Sequence, residues 1–142
     1  MGYKKALVPV SGKFLLERAA RALAQALRVV REDGEICFLH CADEMPYLIT
    51  GEAHRKLVMQ DTSEAEKLFA PLVASVKDAG IAYSVHIVEG SPVTHIPRFA
   101  ADRKCDVVVM CTDGQSEPGK HSMGVLAERV FQYLSVPLLL AH

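Results

Sequence analysis

The sequence has no apolar run long enough to cross a bilayer. Its longest charge-free apolar stretch, Tyr133 to Ala141, is about half the ~20 residues that a membrane helix requires. Nor is there a surplus of basic charge: 16 Lys and Arg stand against 17 Asp and Glu, a formal net charge of −1. Phosphate affinity comes from clustered Lys and Arg, so a nucleic-acid binder with a broad basic surface is not expected. Lys4 and Lys5 precede only Ala6 to Val10 before Ser11, a shorter apolar core than the roughly 7–15 residues of a secretory signal. Ala6 stands where a myristoylation signal wants Ser or Thr. The cysteines (Cys37, Cys41, Cys105 and Cys111) form no C-x-x-C pair and sit in or beside apolar runs, which suits reduced, buried thiols better than disulfides. Collagen-like, coiled-coil and disordered compositions are excluded as well. The expectation is a soluble, cytoplasmic protein without nucleic-acid or membrane partners.

What is present fits one domain over residues 1–142, with half of the residues hydrophobic. A chain of that size buries roughly 68–70% of its unfolded surface and needs no metal or disulfide staple. Ala6 to Val10 reads as a buried strand running into a turn at Ser11-Gly12. Leu15, Leu16, Ala19, Ala20, Leu23, Leu27 and Val30 recur at helical spacing, with Arg18, Arg21, Arg28 and Arg31 as a solvated stripe and a stop near Asp33-Gly34. Ile36 to Ala42 is a second strand. Ser63 and Glu66 have capping-box spacing for a helix ending at Ala79-Gly80, in which Pro71 predicts a kink or a late start. Ile81 to Glu89 alternates as a strand, Ser91-Pro92 opens a helix to Lys104, and Val107 to Cys111 is apolar enough for a strand covered on both faces. Gly124 to Leu134 is helical, and Pro137 to Ala141 closes the series. This alternation predicts a doubly wound, five-stranded, mainly parallel α/β sheet. Ligands of such sheets sit beyond the carboxyl ends of the strands, here Val10-Ser11-Gly12, His40-Cys41-Ala42 and Cys111-Thr112-Asp113-Gly114.

The loop from Gln115 to Met123 links Gly114 to Gly124-Val125 at the start of the last helix. Backbone N–H groups at a helix start, with the helix dipole, can hold phosphate. The same glycines also suit plain turns, and spacing alone leaves both readings open. His40, Cys41 and Cys111 fall near strand ends, where core packing is the default reading and a thiol or zinc site the alternative. Lys120 and His121 belong to the exposed loop, while His54, His86 and His95 read as surface residues.

The order of elements resembles the universal stress protein family over nearly the whole length. The likeness is carried by Ala6-Leu7-Val8-Pro9-Val10, Phe38-Leu39-His40, Glu89-Gly90-Ser91-Pro92, Cys105-Asp106-Val107-Val108-Val109-Met110, Gly124-Val125-Leu126-Ala127-Glu128-Arg129-Val130 and Val136-Pro137-Leu138-Leu139-Leu140. The resemblance implies strand order 3-2-1-4-5 and a homodimer paired through the C-terminal strand, Val136–Ala141. ATP-binding members resembling this chain carry an aspartate after the first strand and G-x2-G-x9-G-(S/T) after the fourth. Ser11 stands at the aspartate position, Cys111 at the first glycine, Gly114 at the second and Gly124 at the third. Val125 replaces the hydroxyl, and Ala127 replaces a further serine common in the family.

A hydrogen bond to a charged group is worth about 1.5–3 kcal/mol, so each loss weakens binding roughly tenfold or more. A nucleotide, if bound, would lie against Pro9, Val10, Ser11 and Cys41 on one side. Met110, Cys111, Gly114, Gly124, Val125, Leu126 and Ala127 would hold the other. The leading expectation is a non-enzymatic stress-response homodimer of the A-type kind, with weak or lost ATP binding and an unidentified protein partner. The alternative is an ATP- or AMP-dependent switch using Gly114, Gly124 and main-chain contacts. No catalytic residues and no metal are expected.

Overall fold

The computed structural model describes residues 2–10, 15–42, 67, 69–112, 114–117, 120–122 and 124–141. Strand β1 (Tyr3–Pro9) leads to helix α1 (Leu15–Val29) and strand β2 (Val30–Ala42). Helix α2 (69–78) follows, then β3 (Ala82–Glu89), α3 (Pro92–Asp102) and β4 (Val107–Cys111). The chain continues through β5 (Gly114–Glu117), β6 (Lys120–Ser122), α4 (Val125–Phe131) and β7 (Leu138–Ala141). Five strands form a sheet in the order β3-β2-β1-β4-β7, with every neighbouring pair parallel. This is the expected 3-2-1-4-5 order, with β7 as the fifth strand.

Side-chain alternation along the central strands builds two cores. Ala6, Val8 and Val10, Ile36 and Phe38, and Val107 and Val109 face Ala19, Ala22, Leu23 and Ala26 of α1 and Phe69, Leu72 and Val76 of α2. Leu7, Cys37, Leu39, Cys41, Val108 and Met110 point the other way, onto Ile96 and Ala100 of α3 and Ala127 and Val130 of α4. A strand covered on both faces has no polar phase, which is why these runs are continuously apolar. Tyr83, Val85 and Ile87 join the first core and Val88 the second, as the alternation in that strand predicts.

Helix ends follow from local chemistry. At the end of α2, Gly80 N–H donates to Lys77 O (3.0 Å) and Ile81 N–H to Val76 O (3.2 Å), a Schellman closure with Gly80 at φ +72°. The same pattern ends α3, where Lys104 N–H meets Ala101 O (3.2 Å) and Cys105 N–H meets Ala100 O (2.9 Å). There the left-handed residue is Lys104, at φ +57°.

Several expectations are corrected. α1 does not run to Asp33-Gly34; it stops at Val29, and Val30 already pairs with Tyr3 of β1. Arg31 therefore belongs to β2, where it pairs with Asp33 (Nε to Oδ1 3.1 Å). Gly34 allows this early strand, because a Cβ there would lie 2.8 Å from the Lys4 carbonyl oxygen. α3 ends at Asp102 rather than Lys104, α4 spans Val125–Phe131, and Ser91 occupies the N-cap of α3 without a side-chain bond. The loop after Gly114 contains an antiparallel ribbon of β5 and β6 that carries no apolar alternation to announce it. The Ser63–Glu66 cap and the conformation of 43–61 lie outside the described residues.

Candidate functional site

The carboxyl ends of β1, β2 and β4 meet where strand order reverses around central β1, the position at which open α/β sheets bind ligands. Val10 follows β1, is 2% exposed, and donates its N–H to Leu39 O at 2.8 Å. Its own carbonyl accepts from His40 Nδ1 at 2.7 Å, which fixes the proton on that nitrogen and ties the end of β2 to the end of β1. The His40 ring stands edge-on to Phe69 of α2, with centroids 6.4 Å apart. Gly90 N–H donates to Ala42 O (2.9 Å) and Thr112 N–H to Ala141 O (2.8 Å), so the backbone rim is closed on both sides of the reversal.

The residues singled out by sequence fall into three groups. Pro9, Val10, Met110 and Cys111 end the paired strands β1 and β4, and Cys41 lies one strand to the other side. Because β1 intervenes, the Cys41 and Cys111 strands run roughly 9–10 Å apart. Gly114 opens β5 and lies opposite Ser122, so the ribbon carries it back toward Gly124, two residues further on. Gly124 is the N-cap of α4 at φ +92° and ψ +148°, backbone geometry that a side chain at this position would strain. Its carbonyl accepts from Glu128 N–H at 3.0 Å, starting the helix. Val125 is 64% exposed and Ala127 2%, and Leu126 is half-buried against the second core. Ser11, along with Asp113 and the side chains of Lys120 and His121, lies outside the described residues.

The thiols separate by environment. Burial pushes the Cys41 thiol up to about 11, which leaves it protonated and a poor nucleophile or metal ligand at neutral pH. Cys37 and Cys105 form a different pair within the second core, where hydrogen bonding from Cys105 draws Cys37 down to about 7 and holds the Cys105 proton more tightly. All four cysteines are free. Among the described residues, no three His, Cys, Asp or Glu side chains are grouped to hold a metal. His86, expected as a surface residue, is half-buried: Nε2 lies 2.9 Å from Ser84 Oγ, and the ring packs on Phe99 at 4.9 Å.

Thr112 is the polar residue that sequence reasoning passed over. It follows β4, is 6% exposed, and its hydroxyl has no hydrogen-bond partner among the described residues. Its only signal in the sequence is a hydroxyl at the carboxyl end of an apolar strand, which many turns share.

Comparisons with known proteins agree with this geometry. A universal stress protein of Methanocaldococcus jannaschii, MJ0531, is 26% identical over 140 residues, covering 96% of this chain and 81% of the relative. The solved structure of the hypothetical protein MJ0577 superimposes with a TM-score of 0.79 at 26% identity, over 99% of this chain and 96% of that one. The universal stress protein from Archaeoglobus fulgidus, solved in complex with dAMP, gives a TM-score of 0.69 at 19% identity and 100% coverage of both chains. The model of the Universal stress protein family matches residues 2–142. The chain belongs to the universal stress protein family.

Proposed function

We propose that this chain is a non-enzymatic stress-response protein that acts in the cytoplasm as a homodimer and grips adenine nucleotides weakly or not at all. The observation that carries this reading is the side-chain chemistry where α4 begins. Val125 projects 64% of its surface and Ala127 is buried, and neither has a hydroxyl to offer a phosphate. Cys111 places a side chain where a glycine would let backbone approach a ligand. Losing several charge-assisted hydrogen bonds together lowers affinity by orders of magnitude.

The homodimer rests on β7. It pairs with β4 on one side and with no described strand on the other, and Leu138, Leu139 and Leu140 are each half-buried. Phe131 (58% exposed), at the end of α4, and Tyr133 (67%), in the turn after it, add apolar surface. An open apolar edge of this kind aggregates unless it is covered, and a two-fold pairing of identical edges covers it.

Protein purified straight from cells and denatured by heat tests the nucleotide claim. The expected supernatant has no stoichiometric adenine absorbance, and calorimetry at millimolar ATP gives no saturable heat. Near-stoichiometric AMP or ATP in the supernatant overturns it.

The second reading, a nucleotide-dependent switch, is favoured by the Gly124 backbone, the Thr112 hydroxyl, which has no partner among the described residues, and a relative solved with dAMP. It predicts binding heat that disappears in Gly124→Glu.

A further inference from the structure

The far edge of the sheet holds a second groove, remote in topology from the strand-reversal site. β3 bonds to β2 on one side and to no described strand on the other. A cavity of about 440 Å³ runs along that edge and is lined by the four consecutive residues Val85 to Val88. Side chains of consecutive strand residues point to opposite faces. The other described lining residues come from α3 and its C-cap, so the cavity lies on the α3 side of this edge.

The opposite wall is formed by α3 and its C-cap residue, Arg103. Arg98 and Arg103 are both exposed, with Phe99 between them on the wall. Arg103 lies over the Phe99 ring at 5.5 Å from its centroid, and neither arginine has an ion pair among the described residues. Asp102 is the one acid on the wall among the described residues. His86, also on the wall, is held below its usual value by burial and by Arg103 and Lys5, against Glu35, so at neutral pH the positive charge of the groove resides in the arginines.

We propose that this edge binds an extended acidic segment of a partner protein as an added sixth strand, with carboxylates two residues apart meeting Arg98 and Arg103. Main-chain bonds along an open edge supply affinity in this mode and alternate side chains supply specificity. Alternate residues of an added strand share one face, ~6.6 Å apart, so acidic side chains at alternate positions face the wall that carries Arg98 on α3 and Arg103 at its C-cap.

The test is selection of a phage-displayed library of eight-residue peptides against the intact protein. Enriched sequences are expected to carry Asp or Glu at alternate positions between β-branched residues. Synthetic copies should shift the amide resonances of residues 85–88 and bind at least tenfold more weakly to Arg98→Glu/Arg103→Glu, with a smaller loss for Arg98→Gln/Arg103→Gln. Alternate N-methylation of the peptide backbone should abolish binding. Both arginines are exposed, and circular dichroism with thermal melting checks that the variants fold.

Three results overturn the proposal. One is no enrichment over the charge-reversed protein, which would make the arginines mere guards of the edge. Another is binding that survives charge reversal or maps to other amides. The third is an equal shift of the same amides by acetate or phosphate with no peptide binding, which would mark a small-anion pocket.

Discussion

The two ends of the same sheet are built differently. At the amino ends of the strands, one carboxylate fastens the centre: Asp106 Oδ2 and Oδ1 accept from Lys4 and Lys5 N–H, each at 2.8 Å, and Asp106 N–H returns to Lys5 O at 2.9 Å. At the carboxyl ends the backbone rim is also closed, yet a buried hydroxyl (Thr112) has no partner among the described residues, and a buried thiol (Cys41) is pushed to about 11. The first end satisfies its polar groups within the fold. The second leaves the Thr112 hydroxyl without a partner among the described residues and keeps the Cys41 thiol in its neutral form.

Replacing the fastener should do the most damage. Asp106→Ala removes two charge-assisted bonds to backbone and is expected to lower unfolding free energy by about 2–4 kcal/mol, read from urea denaturation. A loss below about 0.5 kcal/mol would erase the contrast between the ends.

The next largest effect is alkaline. Between the ordinary thiol value of 9.0 and the Cys41 value of about 11, the unfolded chain has released its proton while the folded chain still holds it. Stability is therefore full below pH 9 and falls as pH rises toward 11, by about 2–3 kcal/mol for two pKa units. Chemical denaturation at pH 8 and pH 11 should show a visibly smaller drop in Cys41→Ala than in the native protein.

At the same end, Thr112→Val keeps the shape and removes the hydroxyl that has no partner among the described residues. Its expected effect is a gain of about 1–2 kcal/mol in the ligand-free protein, measured by thermal and urea melts. A loss instead would mean that the hydroxyl is satisfied in solution.

The smallest effect sharpens the picture of the amino end. Lys104 sits at φ +57° just before β4, where a side chain costs about 1–2 kcal/mol and glycine gives back part of that through unfolded-chain entropy. Lys104→Gly should raise stability by up to about 1 kcal/mol.

The fold was legible because each level of the sequence agreed with the next. Continuous apolar runs at Ala6–Val10 and Val107–Cys111 required cover on both faces, and helical stripes between them supplied it. Boundaries were less legible where tertiary pairing overrode local pattern. Val30 fits the α1 stripe, yet pairing with Tyr3 takes it into β2, and the β5–β6 ribbon forms from residues without apolar alternation. For the site, the family resemblance marked Gly114 and Gly124 as candidate positions and Val125 and Ala127 as places without the family's hydroxyls. Spacing could not reveal that His40 bonds to Val10 O, that Cys41 is too buried to react, or that Thr112 has no partner among the described residues. Those properties exist only once distant segments meet.

The topology also sets how the chain must assemble. β1 occupies the middle of the sheet, but Ala6 pairs with Val107 and Leu7 with Val108, partners separated by most of the chain. Closing so long an intervening segment costs entropy before any contact rewards it. A growing chain therefore makes its central strand early and holds one side of it open until β4 has been synthesised. During that interval the strand at the centre of the sheet is the one most exposed to wrong partners, and holding chaperones would have their greatest effect there.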